Sequence, residues 1–229
     1  MGSEMCIRDR ALAMRTAQLI RAYYAHSLGG AAPKTVIFNG QPVWPSKVVC
    51  VGKNYATHIE EMVSVPAEDM VVFMKPATSI GRKLNATLGE PLHYEGEICL
   101  LIKDRAPAGV GFGLDLTKRE TQSKLKAADL PWERSKAFTG SALFSDFVST
   151  ATNLTRLSVE LKVDVEVRQK ADASLMLYQP DVILQELNQF LVLEDFDVVM
   201  TGTPAGVGAV GTGERLSGRM LNGEDELVS

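Results

Sequence analysis

The sequence lacks the marks of several common protein classes. Its three cysteines, at positions 6, 50 and 99, form neither a CxxC pair nor a zinc spacing. Cys50 and Cys99 fall inside apolar runs, where a free thiol behaves as a small hydrophobe, and that usage suits a reducing compartment. A net charge of -4 gives no electrostatic footprint for nucleic acid. No apolar run is long enough to span a membrane. Repeats and low-complexity tracts are absent. What remains is an ordinary globular composition, 45% hydrophobic and 23% charged, and 229 residues allow one large domain with a sizeable core.

The first thirty or so residues differ from the rest. Arg8, Arg10, Arg15 and Arg21 dominate them, and apolar residues recur at helical spacing from Leu12 to Tyr24. An amphipathic, Arg-rich transit peptide has this character. Glu4 and Asp9 interrupt the basic face and serine is scarce, which favours a leader or upstream segment over residues 1–33 and a single catalytic domain over 34–229. His26 lies in the leader and is given no role. A cytoplasmic location is expected, with a mitochondrial transit segment as the alternative.

From Lys34 onwards the pattern is strand-rich. Thr35 to Phe38 and Gln41 to Trp44 flank Asn39-Gly40, a strong signal for a tight hairpin. Lys47 to Val51 reads as a buried strand ended by Gly52. Asn54 to Met62 reads as a short helix, with His58 and Glu61 three apart on one face. Val71 to Met74 is a strand closed by Lys75-Pro76. Val110 to Leu116 is glycine-rich and includes Asp115. Thr117-Lys118-Arg119-Glu120 has the form of a capping box, which predicts a helix from Thr117 to about Ala128 with Arg119 and Gln122 on one face. Pro131-Trp132 breaks it, and Lys136-Ala137-Phe138 follows as loop or extended chain. Val159 to Val167 alternates like a half-exposed strand, and Pro180-Asp181 opens a helix carrying Val182, Ile183, Leu187 and Phe190. Asp197 to Met200 is a strand that runs into Thr201-Gly202-Thr203-Pro204-Ala205-Gly206-Val207-Gly208. That segment is neither a P-loop nor a Rossmann fingerprint, although its backbone N–H groups could hold an anion. Strands outnumber helices without regular alternation, which predicts an α+β, β-rich fold around a bent mixed sheet with a few short helices.

The stretch the rest serves is Leu92 to Ile102, read as one strand. Glu95 and Glu97 then project to one side, and Gly96 leaves the other side open to a close neighbour. Two carboxylates entering a buried strand repel each other and are costly to desolvate, a problem that a cation between them removes. Hard oxygen ligands suit Mg²⁺, Mn²⁺ or Ca²⁺. Taken alone, the pair reads more readily as the solvated start of a strand than as a metal site.

The motifs together carry more. Val51-Gly52-Lys53-Asn54-Tyr55, Phe73-Met74-Lys75-Pro76, His93-Tyr94-Glu95-Gly96-Glu97, Leu114-Asp115-Leu116-Thr117, Lys136-Ala137-Phe138 and Thr201-Gly202-Thr203-Pro204 follow one another. In that order they resemble the fumarylacetoacetate hydrolase family, in its small acylpyruvase-like branch, over Lys34 to the C-terminus. The resemblance implies a bent mixed sheet, usually a homodimer, and a divalent metal, Mg²⁺ or Mn²⁺ with Ca²⁺ as a crystal substitute. Its metal ligands fall on Glu95, Glu97 and Asp115. Its catalytic dyad falls on His58 and Glu61, on a short helix that closes over the site. Lys136 joins the catalytic set, and Arg119, Gln122 and Thr203 fall on the substrate side. His93 is read as a supporting or structural residue, and Lys75 as a further site candidate. Two departures stand out: Val163-Asp164-Val165-Glu166 replaces the usual Asn-Gly hairpin, and Lys170-Ala171-Asp172 replaces a glycine after Arg168-Gln169.

These parts imply a chemistry. A 2-keto acid can chelate the metal through its carboxylate and keto oxygens, and the metal stabilises an enolate. With His58 drawing a proton from water, an acylpyruvate would be cleaved at a C–C bond to pyruvate and a carboxylic acid. The alternative on the same site is decarboxylation or tautomerisation of oxaloacetate, or isomerisation of a longer unsaturated diacid. An alternative of another class is a keto-acid-binding protein without catalysis. The expected partner is the small 2-keto acid, with no nucleic acid and no membrane.

Overall fold

The structure is a computed structural model that describes residues 34–62, 68–149 and 153–228. Residues 1–33, on which the expected leader with Cys6 and His26 falls, lie outside the described residues. Among the described residues no helix is long and apolar enough to cross a membrane.

The fold is β-rich and is organised by a seven-stranded sheet. Its middle strand, Gly96–Lys103, pairs antiparallel with Ala106–Asp115 on one side and with Val198–Met200 on the other. Val198–Met200 in turn runs parallel to Lys47–Gly52, which pairs with Val71–Pro76. Both faces of these central strands are covered, which explains their unbroken apolar sequence. Ile98, Leu100 and Ile102 enter one core cluster, whereas Cys99 and Leu101 enter a second cluster with Val48, Cys50 and Phe147. The two thiols are thus packing residues on one face, with Met200 between them in register. The glycines of Ala106–Asp115 make room for aromatics: a Cβ on Gly111 would stand 3.0 Å from the Phe147 ring.

A four-stranded sheet built from Leu157–Val163, Glu166–Asp172, Leu216–Asn222 and Asp225–Val228 joins the larger core. A small sheet of Leu92–Tyr94, Thr117–Lys118 and Gly208–Ala209 completes the curl. The helix Pro180–Phe190 buries Ile183, Leu184 and Leu187, while Val182 and Phe190 face outward.

Several predicted elements change shape. The Leu92 to Ile102 strand is two strands in different sheets, Leu92–Tyr94 and Gly96–Lys103, with Glu95 at the corner. The reason is Gly96, whose missing side chain admits Gln169, Phe112 and Leu161 within 3.4 Å. Lys75 and Pro76 continue their strand rather than closing it. The capping box is not formed, because Thr117 and Lys118 pair as a strand and the helix spans Arg119–Ala127. Glu90 serves its first turn instead, accepting from the Thr121 N–H at 3.2 Å and the Thr121 hydroxyl at 2.5 Å. Lys136 ends a short helix, Glu133–Lys136, and is not in a loop. Val159 to Val167 is a hairpin, with Asp164 supplying the left-handed turn residue (φ 54) where Asn-Gly was expected. The Asn39-Gly40 hairpin forms as predicted.

Asp197 anchors the central sheet. Fully buried, it accepts the Ser46 N–H and hydroxyl at 3.0 and 2.7 Å, the Lys47 N–H at 3.1 Å and the Glu194 N–H at 2.9 Å. Lys47 Nζ adds an ion pair at 2.5 Å. Asp197→Ala would leave these donors unpaired at the start of two core strands. A loss of about 3 kcal/mol in urea denaturation is expected, the scale of breaking a buried, hydrogen-bonded charge. A variant as stable as the parent would remove Asp197 from this role.

Candidate active site

The corner at Glu95 and the hairpin beyond it gather three carboxylates. The Asp115 N–H donates to the Glu95 carbonyl at 2.9 Å, which sets the end of one strand beside the start of its neighbour. Glu95, Glu97 and Asp115 are all buried, and their ligand oxygens lie within 4.8 Å of one another. The solvated reading of the Glu pair is therefore wrong.

Such a cluster needs positive charge, and three cations supply it. Lys136 Nζ lies 2.8 Å from Glu95 Oε2 and 2.7 Å from Asp115 Oδ2, and donates to the Thr117 hydroxyl at 2.6 Å. Lys75, fully buried, places Nζ 2.8 Å from Asp115 Oδ1 and donates to the Ser141 hydroxyl and the Lys136 carbonyl. Arg119 Nη2 donates to Glu95 Oε1 at 2.5 Å, and Nη1 to Gln122 Oε1 at 2.7 Å.

The charges are shared unequally. Burial pushes the Glu95 carboxyl up, but Lys136 and Arg119 outweigh it and hold it well below the usual carboxylate range. Burial pushes Glu97 up as well, and Asp115 and Glu95 push the same way against the Gly202 N–H at 2.7 Å and the weaker pull of Lys136. Burial opposes the charge on Lys136, yet Asp115 and Glu95 more than restore it. The triad is thus under-neutralised at Glu97. Asp115 Oδ1 is a buried oxygen without an aligned hydrogen bond. An all-oxygen set with spare negative charge fits a hard divalent cation such as Mg²⁺ or Mn²⁺.

The triad forms the floor of a narrow cleft with a free volume of about 40 Å³. His58, Ile59 and Met62 line one wall, and Phe73 and Trp132 line another. The helix Ala56–Glu61 is set there by buried Asn54. That side chain donates to the Tyr178 and Thr201 carbonyls at 3.0 and 2.8 Å and accepts the Tyr178 N–H at 2.7 Å. Burial lowers the His58 pKa from its ordinary 6.5 against the opposing pull of Glu95 and Glu61. His58 Nδ1 stands 3.4 Å from Glu61 Oε2. The Glu61 carboxylate is engaged elsewhere: the Gly206 N–H lies 3.0 and 3.2 Å from its two oxygens.

The structure brings His58, Arg119, Gln122, Lys136 and Thr203 to the cleft with the triad. Glu61 borders it through His58 and the Gly206 loop. Arg119 and Thr203 are already partly engaged, Thr203 through the Gly96 carbonyl at 3.0 Å and Gln169 Nε2 at 2.9 Å. His93 lies on the small sheet and does not line the cleft. The Thr201–Gly208 segment does receive anions on its N–H groups, but they are this chain's own Glu97 and Glu61.

Two residues support the site: Lys75, which the sequence offered as a further candidate, and Gln169, to which it gave no role. Lys75 is a lysine at an inward position of an apolar strand, opposite Val48, and that register is its signal. Gln169 is buried in a charged hairpin. Its Oε1 accepts the Gly96 N–H at 2.8 Å, and its Nε2 donates to Thr203 Oγ1 at 2.9 Å and the Pro204 carbonyl at 2.8 Å. One amide thereby ties the peptide between Glu95 and Glu97 to the loop that serves Glu97.

A family model described as fumarylacetoacetate (FAA) hydrolase C-terminal matches residues 47–229. The chain is 38% identical over 191 residues to the oxaloacetate tautomerase YcgM of Escherichia coli (strain K12), covering 75% of this chain and 87% of that protein. It is 34% identical over 184 residues to the mitochondrial oxaloacetate tautomerase FAHD1 of Homo sapiens, covering 73% and 83%. Its structure resembles that of a fumarylpyruvate hydrolase from Pseudomonas aeruginosa in complex with Mn²⁺ and pyruvate. The TM-score is 0.76 at 31% identity, covering 86% of this chain and 95% of that one.

If the triad holds the metal, Glu97→Ala should abolish stoichiometric Mn²⁺ binding in calorimetry while the circular dichroism spectrum is kept. Gln169→Leu should weaken Mn²⁺ by about 10–100-fold, the usual effect of removing a group that orients ligands. Unchanged binding in both variants would place the metal elsewhere.

Proposed function

The chain belongs to the fumarylacetoacetate hydrolase family, and on that premise we propose that it is a divalent-metal-dependent keto–enol tautomerase of oxaloacetate. The relatives named as oxaloacetate tautomerases support this over the acylpyruvate hydrolase that the sequence motifs put first. One geometric observation carries the preference. Water attack asks for an imidazole driven by its carboxylate, but Glu61 is held by Gly206 and stands 3.4 Å from His58 Nδ1, a long and weak contact. A proton shuttle asks only for a neutral imidazole at the cleft.

The residues divide the work accordingly. When bound at Glu95, Glu97 and Asp115, Mg²⁺ or Mn²⁺ supplies positive charge that polarises the keto group and steadies the enolate. Lys136, held charged by its two carboxylates, adds fixed positive charge and is no base. Arg119 and Gln122 orient the substrate carboxylate beside it. Ketonisation requires a proton to leave the C2 enol oxygen and another to arrive at C3. His58, neutral at neutral pH, takes a proton and returns one. With Nδ1 turned to Glu61, Nε2 is the nitrogen left for substrate. Acylpyruvate hydrolysis is the second reading, favoured by the likeness to a fumarylpyruvate hydrolase.

The deciding assay follows loss of enol-oxaloacetate absorbance with Mg²⁺ or Mn²⁺, beside pyruvate release from oxaloacetate and cleavage of acetylpyruvate. Ketonisation should exceed both, and His58→Gln should slow it by about 10²–10⁴-fold, the range for losing a general acid–base. Faster acetylpyruvate cleavage would restore the hydrolase to first place.

The pH profile gives an independent check. The neutral ring is the active form, so activity is lost as pH falls through the lowered His58 pKa. The acid limb of kcat/KM should therefore lie below the ordinary histidine value of 6.5. Glu61 raises that pKa, so Glu61→Gln should move the limb further to acid. A limb that stays put on Glu61→Gln would separate the two residues.

A further inference from the structure

We infer that Lys126 is a specificity residue that receives the distal carboxylate of the substrate, making the site selective for 2-keto dicarboxylates over 2-keto monocarboxylates. The inference rests on the reading of this cleft as a 2-keto acid site. It concerns a residue outside the triad, the dyad and the groups that hold the proximal carboxylate.

The argument starts from the helix Arg119–Ala127. Arg119, Gln122 and Lys126 follow at i, i+3 and i+7, one stripe of the helix surface, and all three line the cleft. Arg119 and Gln122 stand at the triad, bonded to each other and to Glu95. Lys126 lies two turns further along, at about 1.5 Å of rise per residue roughly 10 Å from Arg119 along the axis. It marks the far end of the same wall.

The charge at that end is one-sided. Lys126 keeps an exposed side chain, yet partial desolvation first, then Arg119, Lys53 and Lys136, lower its pKa, with Glu95 the opposing charge. The carboxylates lining the cleft all sit on its floor. Lys126 Nζ rests over the Trp132 indole, 4.9 Å from the ring centroid, a contact that limits where the ammonium can go. Trp132 packs in turn against Phe73 at a tilt of 55°, with centroids 5.8 Å apart. The result is an ammonium on an aromatic shelf, among other cations, above an acidic floor. A monocarboxylate would leave it facing an alkyl group. A dicarboxylate with its keto acid end at the triad would bring the second negative charge to it.

The test measures binding to Mn²⁺-loaded protein by calorimetry, using pyruvate and 3,3-difluoro-oxaloacetate, which has no enolisable proton. Lys126→Met should weaken the dicarboxylate by about tenfold and pyruvate by less than twofold, and Lys126→Arg should restore the preference. A tenfold change is the scale of one partly desolvated charge pair at a binding site. Equal weakening of both ligands, or no change in either, would overturn the assignment. The outcome is independent of turnover. If the wild-type protein prefers the dicarboxylate through Lys126 but does not accelerate ketonisation, the tautomerase reading falls and this assignment stands.

Discussion

Burying Glu95, Glu97 and Asp115 with ligand oxygens within 4.8 Å of one another poses the problem that the surrounding structure solves. Carboxylates stripped of water repel and are expensive to keep ionised. Each solution seen here has a limited reach. Lys136 serves Glu95 and Asp115, Lys75 serves Asp115, and Arg119 serves Glu95. Glu97 is left with the Gly202 N–H and the more distant charge of Lys136 against two like-charged neighbours. A divalent cation would answer that deficit, and it would also loosen the claims of Glu95 on Arg119 and Lys136 and free them for an anionic substrate.

The same demand explains why distant chain segments meet at this point. A Cβ on Gly96 would stand 3.1 Å from Gln169 Oε1 and press on the amide that joins the Gly96 N–H to Thr203 and Pro204. Gly202 and Gly206, on the loop so anchored, hold Glu97 and Glu61 respectively. The floor of the cleft and the helix that carries His58 are therefore connected through one loop. Rigidity at the floor is what fixes the position of the proton-carrying wall.

Much of this was legible in the sequence, and the failures share a cause. The apolar runs at Lys47 to Val51 and after Glu97 announced strands covered on both faces, and Asn39-Gly40 announced its hairpin, because those signals are local. The triad, His58, Glu61, Lys136, Arg119, Gln122 and Thr203 were named through a family resemblance, and the structure gathers them. What the sequence hid was decided by tertiary contacts. The corner at Glu95 depends on the bond from the Gly96 N–H to Gln169, seventy-three residues further along the chain. The expected capping box at Thr117 lost to a strand pairing with Leu92 and His93, which placed the Thr117 hydroxyl beside Lys136. Lys75 was a site candidate at the expected end of a strand, and its full burial makes sense once Asp115 Oδ1 is known to lie 2.8 Å from its Nζ.

The distribution of charge bears on substrate and reaction differently. Along the cleft, negative charge lies at the floor and positive charge at the far wall, so the walls favour a ligand that is anionic at both ends. That preference does not choose between chemistries, because a tautomerase of oxaloacetate and a hydrolase of fumarylpyruvate both meet a dicarboxylate. The choice lies instead in the distance between His58 and Glu61 and in what holds Glu61. A carboxylate shared with the Gly206 N–H keeps the helix in place and still raises the imidazole pKa across a long contact. Burial outweighs Glu95 and Glu61 and holds the ring below its ordinary value, and on the proposed reading a neutral ring suits moving a proton along an enol more than forcing one from water. On that reading the contact of Glu61 with Gly206 is the feature that favours tautomerisation over hydrolysis in a cleft whose other groups serve both.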